Sequence, residues 1–504
     1  MKELRKTITI TLLLVAGIIM PAWAEMATMN DALNVANNWI NLIIQKKGSW
    51  GDANSAFVED VHEFKRGPRL LGYFCRVQPK GYIVVSLRKE LAPVKAYSAT
   101  CDLVPECDEG LTDVIKLGME RVLNTIEKQL GPIELVRTSD LQNILEISHR
   151  DSWDELEVDP LSFQQKLDSG VIAMDYQEGD VLLSSSWHQG DPYNRDCPVP
   201  PFGDDCTATH CAVGCVATAA GQIMRYWAWP PYGVSSFSDR YDWPNMPDRA
   251  TALSTPAQIN AVAELCHEIG IAVSMNYCGG SECASGASHT DMRNAYEAYY
   301  RYSGYCGILE RKDYDTAVEW FNLMKAQLNV NRPVQYGVEG HSLVADGWQE
   351  VDPGPIRYYH MNYGWNGGNT GDACWTGIPN SNTWYTLDEL PCSDPDAQVM
   401  IANIVPEKAL FGSLSGTYSR DASFPYLYFD CDTTGNSATF EAGQNLQFLP
   451  NITVTCTSTT GSYIRILGTT SNNTLLFTRG DESQGVRIQN GGIRLYQHGS
   501  LSFH

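Results

Sequence analysis

The sequence predicts an α+β fold in three parts: an N-terminal unit (25–170), a middle unit (181–405) and a C-terminal segment (409–504). Apolar residues recur at helical spacing in some stretches and alternate with polar residues, as in β-strands, in others. Composition changes along the chain as well. Aromatic residues, glycines and cysteines concentrate in the middle unit, and Ser, Thr, Gly and Asn are frequent in the C-terminal segment.

The segment 1–24 has the pattern of a cleaved export signal. Basic residues within 2–6 precede an apolar stretch at 8–19, and 21–24 reads Pro-Ala-Trp-Ala, an A-x-A cleavage pattern. The alternative, a membrane anchor, is disfavoured because the apolar stretch is shorter than a bilayer span. We expect a secreted protein that begins near Glu25 and has no membrane span.

The net charge of −23 argues against a nucleic-acid-binding protein, because a chain of this sign repels phosphate backbones. It equally disfavours charge-driven attachment to anionic lipid. A soluble secreted surface is the simpler interpretation.

In the N-terminal unit, the periodicity predicts a helix at 29–45, capped by Asn30 or Asp31, and a second helix at 111–130. The segments 73–77 and 81–86 have the alternation of a β-hairpin. The polar, acidic stretch 150–177 is typical of a linker.

The middle unit is predicted to place helices before strands. This order brings two packed layers together with a cleft between them. The predicted helices are 215–227, 257–269 and 314–328, and the predicted strands are 334–338, 341–348 and 357–362. The C-terminal segment has short alternating runs at 451–456 and 463–467, without a strong repeat, and is expected to form a small all-β domain.

The chain contains 15 cysteines, and cysteines that lie near one another in the sequence of an exported protein often form disulfides. Proximity suggests three pairs, Cys101–Cys107, Cys206–Cys211 and Cys278–Cys283, and leaves longer-range partners open. Complete pairing would leave one thiol, for which Cys215 is the best candidate.

Cys215 follows Gly214 at the start of a predicted helix. Unpaired N–H groups and the helix dipole stabilise a thiolate there and can lower the pKa of a cysteine. The pattern therefore favours a nucleophile, although a buried or disulfide-bonded cysteine is the usual alternative. A zinc cluster of Cys206, His210, Cys211 and Cys215 is disfavoured because the spacing is not that of known zinc sites.

A thiolate nucleophile needs a proton acceptor, an orienting group and donors for the oxyanion. His341, after Gly340 at the start of a predicted strand, is the candidate base. Gln189 could join the Cys215 N–H in holding an oxyanion. Asn362, with Asp346 as its rival, could orient the imidazole, and Trp365 could shield it from water.

Four stretches of the middle unit resemble the streptopain family of secreted bacterial cysteine proteases, relatives of papain in fold. They stand in the family's order and are 187–194 with Cys197-Pro198, 209–230, 332–347 and 360–365. The resemblance implies a papain-like domain in which helices pack on an antiparallel sheet. More loosely, 81–86 and 91–98 resemble the family's inhibitory propeptide.

The resemblance implies roles that agree with the chemistry: Cys215 as nucleophile, His341 as general base and Gln189 as oxyanion donor. Asn362 and Trp365 would support the imidazole, although Tyr363 stands where the family has tryptophan. The residues implied at the substrate subsites are Gly279, Gly280, Ser281 and Gly340.

We therefore expect a cysteine endopeptidase made as a zymogen, acting on proteins or peptides, with its own propeptide as intramolecular inhibitor and no metal or cofactor. One alternative is a non-catalytic secreted adhesin or binding protein on a protease-like scaffold. Acyl transfer to amines would use the same residues as hydrolysis.

Overall fold

The structure is a computed structural model. It describes residues 25–108, 110–171, 175–201, 208–230, 232–238, 240–280, 284–338, 340–352, 355–365, 383–386 and 398–406, and the backbone of the strands between 409 and 503. The predicted signal segment, Cys206, Ser281 and Cys283 lie outside the described residues.

The N-terminal unit consists of helices packed on an antiparallel sheet. Its elements are α1 (Met29–Lys47), β1 (Phe57–Arg66), β2 (Arg69–Gln78), β3 (Tyr82–Ser86), β4 (Val94–Ser98), α2 (Gly110–Leu130), α3 (Thr138–Gln142), α4 (Arg150–Leu156) and α5 (Pro160–Asp168). The short strand β5 (Tyr176–Glu178) follows this unit and pairs antiparallel with residues 349–351 of the middle unit. The predicted hairpin is present as β2 and β3. The cap of α1 is Thr28 rather than Asn30 or Asp31, because Thr28 Oγ1 accepts the Asp31 N–H and Asp31 accepts the Thr28 N–H.

The interpretation of 150–177 as a linker is wrong for most of its length. Trp153 and Leu156 of α4 and Phe163 of α5 are fully buried. The Asn38 side chain on α1 donates to the carbonyl oxygen of Leu156 at 2.8 Å. These apolar residues recur at helical spacing, and the many acidic residues around them concealed that pattern.

The middle unit has helices on both faces of an antiparallel sheet. Its elements are α6 (Cys215–Trp227), α7 (Pro256–Ala272), α8 (His289–Ala298), β6 (Gly307–Glu310), α9 (Ala317–Leu328), β7 (Val334–Val338), β8 (His341–Val351), β9 (Ile356–Asn362), β10 (Thr383–Tyr385) and β11 (Val399–Ala402). Side chains of β8 alternate between two cores, since Leu343 and Ala345 face the core that includes α9, and Val344 faces the core of α6 to α8. The predicted α+β class is confirmed.

One sheet runs through both units, in the order β1-β2-β3-β4-β10-β9-β8-β7-β11-β6. The junction is the antiparallel pairing of β4 with β10, in which Trp384 lies opposite Tyr97 and Tyr385 opposite Ala96. Tyr82 and Thr383 add a buried hydroxyl contact of 3.0 Å. The N-terminal unit therefore covers the edge of the middle unit's sheet.

The described strands of the C-terminal segment pair in parallel. They are β12 (Ala409–Tyr418), β13 (Tyr426–Phe440), β14 (Asn445–Phe448), β15 (Thr453–Cys456), β16 (Tyr463–Leu467), β17 (Asn473–Phe477), β18 (Arg487–Gln489), β19 (Gly492–Tyr496) and β20 (Gly499–Phe503). The long strand β13 pairs with β14, β15 and β16 along its length, and β17, β18 and β19 continue those three ladders. Stacked parallel coils of this kind form a β-solenoid.

A repeat that sequence reading missed runs through this solenoid. Leu-x-Phe occurs at 427–429, 446–448, 475–477 and 501–503, and the ladders align leucine with leucine and phenylalanine with phenylalanine. The spacing between copies is uneven, so a search for a fixed period does not find it. Across the described part of the chain, no helix combines the length and apolar character needed to cross a membrane.

Candidate functional site

Cys215 is the first residue of α6, and the backbone before it requires glycine. Gly214 has φ of 89°, a region that other residues rarely adopt. A side-chain carbon at this position would also lie 2.6 Å from the side chain of Met275. The thiol is half-buried, and the backbone N–H groups of Cys215, Val216 and Ser342 lie near enough to favour its charged form.

The predicted low pKa of Cys215 is not what the structure gives. Burial raises the pKa of the thiol, and the three backbone N–H groups lower it only in part. Burial also lowers the pKa of His341 to about 4, against a smaller raising effect of the Tyr363 carbonyl. In this form of the chain, both groups are therefore held uncharged near neutral pH.

The contact between the thiol and the Ser342 N–H places Cys215 beside the start of β8, because Ser342 directly follows His341. Gln335 holds the same junction from β7. Its side-chain Nε2 lies 3.1 Å from the carbonyl oxygen of Val216 and 3.0 Å from Ser342 Oγ. The fold thus brings Cys215 close to Ser342, although more than a hundred positions separate these two residues in the sequence.

The imidazole of His341 is oriented by a backbone carbonyl. Its Nε2 lies 2.8 Å from the oxygen of Tyr363. A carbonyl oxygen can only accept, so Nε2 carries the proton in the neutral ring and Nδ1 keeps a lone pair. Nδ1 is then the nitrogen able to receive a proton from a thiol.

Trp365 stacks on the imidazole, with ring centroids 4.1 Å apart and planes 27° apart. The Tyr363 ring lies farther away, at 6.4 Å from the imidazole, and stacks on Trp365 at 5.7 Å. The second aromatic of the motif therefore covers the imidazole directly. Gly340 has φ of 75°, and a side-chain carbon added there would meet no atom within 4 Å, so this side of His341 is open.

The hydrogen bonds of the Asn362 side chain go to groups other than the imidazole, contrary to the predicted geometry. Its side-chain Oδ1 accepts from the N–H of Gly364 and from Gln222 Nε2, each at 3.2 Å. Its Nδ2 donates to the carbonyl oxygen of Ser185 at 2.8 Å. The rival, Asp346, bonds His360 at 2.6 Å within a buried pair.

The Tyr363 carbonyl could not be predicted from the sequence, because every residue has a backbone carbonyl and the residue type does not show which one accepts a hydrogen bond. Gln222 was also missed, and here a signal existed. It is a lone carboxamide within the apolar helix α6, two turns after Cys215, and it is fully buried.

Gln189 lies near the nucleophile through its backbone. Its carbonyl oxygen accepts the N–H of Val213 at 2.9 Å, two residues before Cys215, and the residue is half-buried. The neighbouring His188 is buried against Tyr193, at 4.7 Å between rings, and burial lowers its pKa to about 4.

The candidate subsite loop is fastened to the segment before the nucleophile. A disulfide joins Cys211 to Cys278, with Cα atoms 5.3 Å apart, and Gly280 N–H donates to the carbonyl oxygen of Ala284 at 3.1 Å. At Gly279, an added side-chain carbon would collide with the side chain of Asn276 at 2.0 Å. Ser281 lies outside the described residues.

The three disulfide pairs predicted from proximity are wrong. Cys211 pairs with Cys278 across 67 positions, which excludes both Cys206–Cys211 and Cys278–Cys283. Cys107 is disulfide-bonded, whereas Cys101 keeps a thiol that contacts Thr100 Oγ1 at 3.9 Å. The expectation of a single remaining thiol also fails, because Cys75, Cys197, Cys266 and Cys306 are buried thiols.

The rival zinc interpretation loses one of its sulfur ligands to this disulfide. Within the residues that the structure describes, no cluster of three or more metal-binding side chains occurs.

Comparison with known proteins gives a family for the residues that build this site. The family model of the Peptidase C10 family matches residues 187–371. Streptopain of Streptococcus pyogenes is 28% identical over 252 residues, covering 43% of this chain and 61% of streptopain. Thiol protease/hemagglutinin PrtT of Porphyromonas gingivalis is 27% identical over 207 residues, covering 37% of this chain and 22% of that protein. The chain thus spans less than two thirds of the length of these curated relatives.

Two solved structures from Prevotella intermedia are also similar to this chain. A fragment of prointerpain A has a TM-score of 0.49 and 21% identity, covering 69% of this chain and 98% of that chain. Active interpain A has a TM-score of 0.35 and 25% identity, covering 45% of this chain and 95% of that chain. The family match and the curated relatives make residues 187–371 similar to the Peptidase C10 family, to which streptopain-like cysteine proteases belong.

Proposed function

We propose that the processed chain is a secreted endopeptidase that hydrolyses internal peptide bonds of proteins through Cys215 and His341. The observation that carries the proposal is the Gln335 side chain, which bonds both the carbonyl oxygen of Val216 and Ser342 Oγ. These bonds hold the residue after Cys215 beside the residue after His341, whose Nε2 is bound to the Tyr363 carbonyl oxygen.

In the proposed mechanism, His341 Nδ1 takes the thiol proton and the sulfur attacks the carbonyl carbon of the substrate. The Cys215 N–H and the Gln189 side chain donate to the oxyanion. The imidazolium then protonates the leaving amine, and the C–N bond breaks to leave a thioester. Water, deprotonated by His341, hydrolyses the thioester and returns the thiol.

Trp365 would keep water from the imidazole, and Asn362 would act on it indirectly. We assign the substrate subsites to Gly279, Gly280, Ser281 and Gly340. The open space beside Gly340 supports this assignment, as does the disulfide that holds the 278–280 loop near the nucleophile. The reaction needs no metal or cofactor.

We further propose that 1–24 directs export and that 25–170 is an inhibitory propeptide. The β4–β10 pairing, the ring stacking of Tyr97 on Trp384 at 6.4 Å and the bond from the Tyr97 hydroxyl to Gln349 at 2.7 Å support an intramolecular partner of this kind. Cleavage is expected after α5, near Val171, which is 70% exposed. A mature N-terminus within α4 or α5 would contradict this boundary.

The test is the full-length precursor with Cys215→Ala, compared with the wild type and with Cys306→Ala, which removes another thiol of the same unit. Cys215→Ala should abolish casein hydrolysis and self-processing, a loss of about 10⁴-fold or more, with the circular dichroism spectrum unchanged. Retained hydrolysis would refute the proposal.

Labelling separates the enzyme from the binding-protein alternative. A peptidyl epoxide should modify Cys215 stoichiometrically in the processed wild type, faster than it modifies a free thiol at neutral pH. Slow labelling at every cysteine would favour the alternative. Release of acid rather than amide product in the presence of added amine would distinguish hydrolysis from acyl transfer.

A further inference from the structure

The fully buried side chain of Gln222 contacts two segments around the candidate nucleophile and base. It lies seven residues after Cys215 on α6, which puts it on the same helix face two turns along. Its Oε1 accepts from Trp187 N–H at 3.0 Å and from Asn362 Nδ2 at 2.9 Å. Its Nε2 donates to Asn362 Oδ1 at 3.2 Å.

Asn362 passes this constraint to His341 through a single peptide group. The Tyr363 carbonyl, which accepts from the imidazole, and the Gly364 N–H, which donates to Asn362 Oδ1, belong to the same planar unit. Because that unit is rigid, holding its N–H fixes the direction of its C=O. Gly364, with φ of 66°, permits the turn.

The other contact of Gln222 holds the segment of the candidate oxyanion donor. Trp187 is two residues before Gln189, and Ser185 Oγ also donates to Gln222 Oε1, at 3.3 Å. The nucleophile's own helix thus carries one side chain that fixes both the acceptor of the imidazole and the start of the oxyanion segment.

We propose that Gln222 is a positioning residue for the reaction, acting through Asn362 and the 363–364 peptide on His341 and through Trp187 on Gln189. It touches neither substrate nor reacting atoms. This inference rests on the proposed function of Cys215 and His341.

The first test is Gln222→Leu in the processed enzyme, assayed on a fluorogenic peptide. Leucine fills a similar volume but neither donates nor accepts. Misplacement of the imidazole should lower kcat about 100-fold and leave KM within about threefold. A kcat within about threefold of the wild type overturns the inference.

Gln222→Glu keeps the test independent of any folding defect in the leucine variant. A protonated glutamic acid can accept from Trp187 and donate to Asn362 Oδ1, as glutamine does, whereas the carboxylate repels that oxygen. Burial raises the pKa of a carboxyl group. The ratio of variant to wild-type kcat should therefore rise as the pH falls from 8 to 5, and a constant ratio overturns the inference.

Expressing activity as a ratio at each pH removes the titrations of Cys215, His341 and His188 that both proteins share. The matched control is Gln327→Leu, a half-buried glutamine of α9 whose side chain bonds Asn403 within the middle unit. It should leave kcat of the processed enzyme unchanged, and an equal loss of kcat in this control would mark the Gln222 effect as general destabilisation and overturn the inference.

A double-mutant cycle tests the route through Asn362. If Gln222 acts through that residue, Gln222→Leu with Asn362→Leu should be little worse than either single variant, whereas multiplying losses contradict the route. Absence of hydrolysis by the wild type itself would refute the proposed function, and a fully active Gln222→Leu enzyme would refute only the positioning role.

Discussion

In the N-terminal unit, Arg88 and Glu90 are fully buried and form a charged pair. The fully buried polar side chains linked to His341 and to the segment of Gln189 are instead the uncharged carboxamides of Gln222 and Asn362. Arg88 also donates to the carbonyl oxygens of Ile133 and Val136. The two charges of the pair neutralise each other. The bonds from Arg88 to the two carbonyl oxygens fix one arrangement of the surrounding loop.

A site that moves protons has a different requirement. The proposed reaction creates a thiolate and an imidazolium and then removes them. A fixed buried charge beside them would favour one of these states over the other. Carboxamides orient the groups through hydrogen bonds without adding net charge. On the proposal made above, buried polar groups serve stability at the Arg88–Glu90 pair and geometry at Gln222 and Asn362.

The largest expected effect follows from breaking the charged pair. Glu90→Gln leaves the Arg88 guanidinium buried without its counter-charge, so the Cys215→Ala precursor should lose about 3 kcal/mol of unfolding free energy in urea. The control is Asp140→Asn, which removes the partner of Arg137 in an exposed pair and should cost less than about 1 kcal/mol. Equal losses in the two variants would mean that burial of the pair is unimportant.

A smaller effect is expected at the cover of the imidazole. Trp365→Ala admits water to His341, so kcat of the processed enzyme should fall by about tenfold, whereas Trp365→Phe keeps a stacked ring and most of the rate. Hydration also favours both charged forms, which lowers the pKa of the thiol and raises that of the imidazole. Iodoacetamide labelling of Cys215 should then begin at lower pH in Trp365→Ala. An unchanged labelling profile would contradict this role of the ring.

Sequence reading was most successful where one residue carries its own signal. Gly214 before Cys215 indicates a strained turn at the start of a helix, and the helix predicted at 215–227 has the same bounds as α6. Gly340 before His341 likewise matches the start of β8. These features depend on local backbone geometry, which the chain encodes in neighbouring residues.

The features that the sequence did not predict depend on contacts between distant parts of the chain. The Cys211–Cys278 disulfide and the β4–β10 pairing join segments that only the fold brings together. Placement at a helix start also suggested a low pKa for Cys215, but the burial that reverses the shift is a property of the assembled site. The hydrogen bond of Asn362 to the Gly364 N–H could not be read for the same reason, since a backbone partner has no signature in the sequence.

The last expected effect is on the stability of the precursor at acid pH, and it also distinguishes the two regions. Burial lowers the pKa of His188 to about 4, whereas an unfolded histidine has a pKa near 6.5. Between these pH values the unfolded chain binds one more proton than the folded chain. The contribution of His188 to the unfolding free energy is therefore complete above about pH 6.5 and falls as the pH drops towards 4, by up to about 1.4 kcal/mol per pH unit.

The variant His188→Asn keeps a side-chain acceptor for the Gly190 N–H, which bonds His188 Nδ1 at 3.2 Å, but it cannot take a proton. In the Cys215→Ala precursor, urea unfolding at pH 7, 6 and 5 should therefore show a shallower decline for His188→Asn than for His188. The control is His62→Asn, at an exposed site beside Asp60 in the N-terminal unit, which should leave the fall of the unfolding free energy with pH as steep as before. An equally shallow fall in this control would show that the acid sensitivity does not come specifically from the buried His188.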